Sequence, residues 1–144
     1  MDYTRLGRTS LKVSRIALGC MSYGDPTRGL HQWTFDEDAS QPFFRQAVEL
    51  GVPFWDTANV YQQGSSEEFV GRAINRYSRR EDIVLATKVS GKMHDGPGGA
   101  GLSRKAILEQ VKREEEREML PRMAAAPGPL RLVPPPTPRR ARAT

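Results

Sequence analysis

Two short apolar segments, residues 52–56 and 83–87, flank a stretch in which Phe69, Val70, Ala73, Ile74 and Tyr77 recur at helical spacing, and this arrangement constrains the chain most. Two strands joined through a helix lie parallel in one sheet, with a right-handed connection. Adjacent parallel strands stand about 4.8 Å apart, so the C-terminal ends of the two segments bring Asp56 and Lys88 within ion-pairing reach. Tyr61 closes the run Asp56-Thr57-Ala58-Asn59-Val60-Tyr61 at the same end. The C-terminal ends of parallel strands are where α/β proteins place their chemistry.

An acid, a phenol and an amine at one strand end have a chemical logic. A neutral tyrosine can hand a proton to a carbonyl oxygen, and a nearby ammonium makes losing that proton easier. Tyr61 would be the acid, Lys88 the charged neighbour, and Asp56 the group that keeps the lysine charged and oriented. The same residue types also compose a plain salt bridge beside a loop tyrosine, and both readings stay open at the level of residue types.

Upstream, residues 3–14 read as a short hairpin, with turn formers between two alternating arms. Residues 16–21 form a continuous apolar run, which predicts a buried parallel strand followed by a close backbone approach at Gly19. The loop 22–35 carries Gly24, Pro26, Gly29, His31 and Trp33, a mixture suited to a pocket mouth, with His31 and Trp33 read as loop residues. A helix is predicted to start between Asp36 and Gln41, with Pro42 in its first turn. It carries Phe43, Phe44, Ala47 and Val48 on one face and stops at Gly51. Ser65 and Glu68 match a capping box that would open the helix after Tyr61. A third helix opens near Ser103 and shows Ala106, Ile107, Leu108 and Val111 on one side. Strand and helix thus alternate three times, which specifies a parallel sheet in a barrel or a doubly wound fold. The glycine-rich run 96–101 has the form of a dinucleotide fingerprint. It stands several residues beyond the third strand and lacks a downstream acid, so it reads as a loop, with His94 as a surface histidine in it.

At 144 residues the chain is well short of the about 250 that a typical eight-stranded α/β barrel needs, which excludes a complete one. Cys20 is the single cysteine, so no intramolecular disulfide forms and a reducing compartment is expected. The N-terminus is charged and no apolar run is long enough for a membrane span, so a soluble, cytoplasmic protein is expected, with no membrane partner. The net charge of +5 arises at the C-terminal end, because residues 1–116 carry equal numbers of acidic and basic side chains. The apolar stripe of the third helix stops at Val111, and Glu114, Glu115 and Glu118 follow. From Arg117 onward lie seven of the eleven prolines and six arginines, a composition that cannot bury a core. The expected organisation is therefore a folded part over 1–112 and a disordered Pro/Arg-rich tail over 113–144. The tail has no aromatic platform, so no nucleic-acid partner is expected.

Several stretches together resemble the N-terminal part of an aldo-keto reductase over roughly residues 3–111. They are Tyr3-Thr4-Arg5-Leu6-Gly7, Leu11-Lys12-Val13-Ser14, Leu18-Gly19, the run from Asp56 to Tyr61, Gly64-Ser65-Ser66-Glu67 with Gly71, and Ala86-Thr87-Lys88. The resemblance implies the opening part of a (β/α)8 TIM barrel with an N-terminal β-hairpin, truncated after about three β/α units. It implies NADPH-dependent reduction of a small-molecule aldehyde or ketone to an alcohol, with no metal. By resemblance Tyr61 is the proton donor, supported by Lys88 and Asp56, and the fourth member of the family's tetrad is a histidine after the fourth strand. Gly19, Cys20, Met21 and Asp56 match the positions beside the nicotinamide. The family's residues for the adenosine phosphate and pyrophosphate come from later strands, which this sequence does not contain. Two function classes follow: a carbonyl reductase, inactive as this truncated chain, or a non-catalytic isoform or interaction fragment.

Overall fold

The fold is described by a computed structural model covering residues 1–29 and 31–119. The predicted hairpin is present: β1 (Tyr3–Arg5) pairs antiparallel with β2 (Lys12–Ser14), Tyr3 opposite Ser14. Tyr3 Oη donates to Gly51 O at 2.9 Å, which fastens the hairpin to the end of the first helix.

Three strand and helix units follow in sequence: β3 (Leu18–Gly19), α1 (Glu37–Glu49), β4 (Phe54–Asp56), α2 (Ser65–Tyr77), β5 (Val84–Ala86) and α3 (Arg104–Met119). The strands form one parallel sheet in the order β3-β4-β5, with Gly19 beside Asp56 and Asp56 beside Ala86. Side chains alternate across a strand, and here the alternation sorts core from site. Leu18, Cys20, Trp55 and Leu85 meet the helices, where Phe44 and Ala47 of α1 and Phe69, Val70, Ala73 and Ile74 of α2 close the core. Trp55 is fully buried and donates its indole N–H to Val52 O at 2.8 Å. Gly19, Asp56 and Ala86 belong to the other face.

Five expectations need correction. The apolar run 16–21 is not a buried strand throughout: only Leu18 and Gly19 are strand, and Ile16 is 60% exposed because β3 has β4 alone beside it among the described residues. Pro42 lies inside α1, on the exposed side rather than in the first turn. Asp36 is the cap, accepting from Ala39 N at 2.9 Å, and Ser40 rather than Phe43 joins Phe44 and Ala47 on the buried face. The capping box does not form. Gly64, in the left-handed region at φ 90°, caps α2, while Glu68 turns away to pair with Arg28 at 2.9 Å. Finally, α3 buries Ala106, Gln110 and Glu114, and its predicted apolar residues Ile107, Leu108 and Val111 are exposed.

Helix α3 continues to Met119, past the 112/113 division drawn from composition. From residue 120 onward, the disordered tail expected over 113–144 lies outside the described residues. Among the described residues, no helix is long and apolar enough to cross a membrane.

Candidate active site

The C-terminal ends of β4 and β5 bring together the three residues singled out from the sequence. Backbone hydrogen bonds carry the ladder past both strands, Thr57 N to Ala86 O at 2.8 Å and Asn59 N to Lys88 O at 3.1 Å. Lys88, two residues beyond Ala86, therefore returns to the face of Asp56. Its Nζ donates to Asp56 Oδ2 at 2.8 Å, to Thr57 O at 2.6 Å and to Tyr61 Oη at 3.2 Å. An ammonium has three donors, and all three are engaged.

Burial alone would pull the Lys88 ammonium's pKa down. Its hydrogen bonds to Asp56 and Tyr61, with the charges on the same two groups, outweigh burial and hold it above the usual lysine value. The lysine is thus kept charged beside the phenol. Its Nζ also lies 4.9 Å from the centre of the Tyr61 ring, close enough for a cation–π contact.

Behind the cluster stands a buried polar layer. Thr57 Oγ1 meets Ser66 Oγ at 3.1 Å, Ser66 Oγ donates to Cys20 O at 2.8 Å, and Thr87 Oγ1 donates to Glu67 at 2.8 Å. These bonds pin the strand ends to the first turn of α2. Asn59 Nδ2 donates to Gln110 Oε1, and Gln110 Nε2 donates to Gly98 O at 3.2 Å, which ties the segment before Tyr61 to α3 and the glycine-rich loop. Gln62 Nε2 reaches back to Thr34 Oγ1 and, at 2.7 Å, to His31 O. Sequence reasoning missed Gln62, Ser66, Asn59 and Gln110 as supports. Their polarity at otherwise apolar positions was the available signal for Gln110 alone.

The residues matched to a cofactor position divide in two. A Cβ on Gly19 would meet nothing within 4 Å, and Met21 is exposed, so both lie at the open end of β3 beside Asp56. Cys20 points the other way, into the core, where burial pushes its thiol up to about 12 and leaves it inert. His31 stacks its ring on Trp33 at 4.8 Å, and His94 lies 3.3 Å from Glu109. The histidines are thus engaged away from Tyr61.

The C-terminal ends of the parallel sheet thus carry a lysine shared between a carboxylate and a phenol. Residues 15–120 match the Aldo/keto reductase family, and the chain belongs to it. It is 38% identical over 135 residues to versiconal hemiacetal acetate reductase of Aspergillus parasiticus, covering 81% of this chain and 39% of that protein. It is 34% identical over 140 residues to aldo-keto reductase dtxS3 of Metarhizium robertsii, covering 81% and 37%. Among solved structures, aldo-keto reductase AKR11C1 of Bacillus halodurans, in its holo form, superposes with a TM-score of 0.66 at 36% identity, covering 83% of this chain and 37% of that one. Thermostable aldo-keto reductase Tm1743, in complex with the inhibitor epalrestat, gives 0.63 at 28% identity, covering 82% and 39%. The chain thus spans a little over a third of the length of these relatives. The expected fold class stands, since the neighbours are TIM barrels and the three units described here match their opening part.

Proposed function

We propose that this chain carries the proton-donating wall of an NADPH-dependent carbonyl reductase acting on small aldehydes or ketones. The observation that supports this reading is the Lys88 ammonium, within hydrogen-bonding distance of Asp56 and Tyr61 at once. Tyr61 Oη gives its proton to the substrate's carbonyl oxygen as the alkoxide develops. The phenolate left behind is stabilised by the ammonium 3.2 Å away, and Asp56 holds that ammonium in place at 2.8 Å. NADPH, when bound, supplies the hydride that the carbonyl carbon takes up. Gly19, Met21 and Asp56 fit the nicotinamide side of the site, since they share the open strand ends. Cys20 contributes its backbone just beyond β3, where its N–H donates to Asp56 O at 2.8 Å, and not its thiol. The reductase named among the relatives supports the direction of reaction. A reducing, cytoplasmic setting accords with the single cysteine.

The test is an NADPH fluorescence titration followed by an aldehyde reduction assay, with Tyr61→Phe as the control. Where the protein turns over, Tyr61→Phe is expected to lower kcat by about 10²- to 10⁴-fold and leave NADPH binding unchanged. Equal turnover by the two proteins would sink the reading. Assayed by themselves, the 144 residues are expected to turn over poorly. They supply one wall of a site in which misplacement by about 1 Å costs about a hundredfold. A second reading, an interaction fragment without catalysis, is favoured by the exposed Ile107, Leu108 and Val111 of α3. Self-association that Leu108→Ser abolishes, without NADPH binding, would support it.

A further inference from the structure

We propose that Gln62 is the positioning residue that sets where Tyr61 stands, by locking the turn after Tyr61 to the loop between β3 and α1. This rests on the reading of Tyr61 as proton donor.

Gln62 and Gln63 both adopt the left-handed backbone region, at φ 46° and 51°, each with ψ 44°. Side-chain-bearing residues occupy that region at a cost, and it persists where the surroundings over-determine it. A glycine would make the same turn without strain, yet it would not hold one conformation. Here the surroundings that hold it are specific. Gln62 is 3% exposed, and its carboxamide donates to His31 O at 2.7 Å and to Thr34 Oγ1. Thr34 is itself fixed, because its hydroxyl donates to His31 O at 2.7 Å.

The seat is shaped for this side chain. A Cβ added at Gly24 would come within 2.8 Å of Gln62 Cβ, and one at Gly29 would run into the carboxamide. Two more ties close the turn from outside. Ser65 Oγ donates to Gln62 O at 2.8 Å while accepting from Asp25 N at 2.9 Å, and Arg28 Nη2 donates to Gln63 O at 3.3 Å. Every tie runs from the residues just after Tyr61 to the loop between β3 and α1 or to α2, and none touches Tyr61 itself. Their joint effect is to fix the backbone from which the Tyr61 ring projects towards Lys88. Released from His31 and Thr34, the Gln62 backbone can leave the left-handed region, and Tyr61 Oη moves off the Lys88 ammonium.

The experiment reads that contact without requiring turnover. In the isotope-labelled 144-residue protein, the nuclear Overhauser contact between the Tyr61 ring and the Lys88 side chain is measured. Its resonances are assigned with Tyr61→Phe and Lys88→Met. Gln62→Ala, Gln62→Gly and Thr34→Val are each expected to lose the contact while circular dichroism keeps the helix signal. Thr34→Ser, which retains the hydroxyl, is expected to keep it. Persistence of the contact in folded Gln62→Ala or in Thr34→Val overturns the proposal, and so does its absence from the unsubstituted protein. Should Gln62→Ala fail to fold, Thr34→Val against Thr34→Ser decides alone. Unchanged aldehyde reduction in Tyr61→Phe would overturn the proton-donor reading instead, and leaves the contact measurement to judge Gln62 separately.

Discussion

Helices α2 and α3 both carry apolar residues at helical spacing, and the fold uses those residues differently. In α2 the apolar residues Phe69, Val70, Ala73 and Ile74 all enter the core. In α3 the apolar Ile107, Leu108 and Val111 face outward at 37%, 57% and 38% exposure, while Gln110 and Glu114 are buried. The reason is the number of neighbours. Helix α2 lies between α1 and α3 and over Trp55 and Ile83, so it has a broad apolar surface to cover. Helix α3 packs closely on α2 alone among the described helices, and its buried side chains are mainly polar: Asn59 Nδ2, in the segment before α2, donates to Gln110 Oε1. An apolar stripe shows which residues are available for burial. The neighbours decide which are used. One helix therefore holds the core together, and the other holds the segment that leads to Tyr61.

This contrast can be broken most directly by matched truncations. Ile74→Ala in α2 is expected to destabilise the fold by about 2–5 kcal/mol in urea unfolding, since it empties a fully packed site. A loss of under about 1 kcal/mol would show that α2 is not the element that closes the core. Next in size, Gln110→Leu is expected to cost about 1–3 kcal/mol despite adding apolar surface, because the buried Asn59 amide loses its partner. A neutral or stabilising result would reverse the assignment of α3 as a polar brace. Ile107→Ala is expected to change stability by no more than about 0.5 kcal/mol, as an exposed substitution does. A cost equal to that of Ile74→Ala would remove the contrast between the helices.

The smallest expected effect is one of pH. The folded pKa of Lys88 is raised above its ordinary 10.5, so its contribution to stability is fully present below that value and is lost as pH rises through the higher folded value. The side chain is half exposed, which screens the effect. Thermal midpoints through the lysine titration range are expected to fall slightly more for the unsubstituted protein than for Lys88→Met. Parallel curves would show that the ammonium's partners add nothing to stability. Asp82 behaves with the opposite sign. The Arg79 hydrogen bond lowers its pKa, so its contribution is present above the ordinary carboxylate value and is lost as pH falls through the lower folded one.

The alternation of apolar strand ends with helical spacing was enough, by itself, to specify a parallel sheet and to bring Asp56, Tyr61 and Lys88 to one end of it. That inference needs only the fixed spacing of parallel strands and the two-residue period of side chains, both properties of any backbone. The core face of α2 was legible for the same reason, because its apolar residues fall on one side with no competing partner. What the sequence could not carry depended on residues distant along the chain. Glu68 leaves its capping box because Arg28, forty residues away, offers a charged partner. Gln110 is buried because Asn59 meets it, and Gln62 takes a left-handed backbone because His31 and Thr34 accept its amide. Local propensity is written in a few neighbouring residues, whereas a buried polar group goes where its partner is, and only the tertiary structure decides where that is.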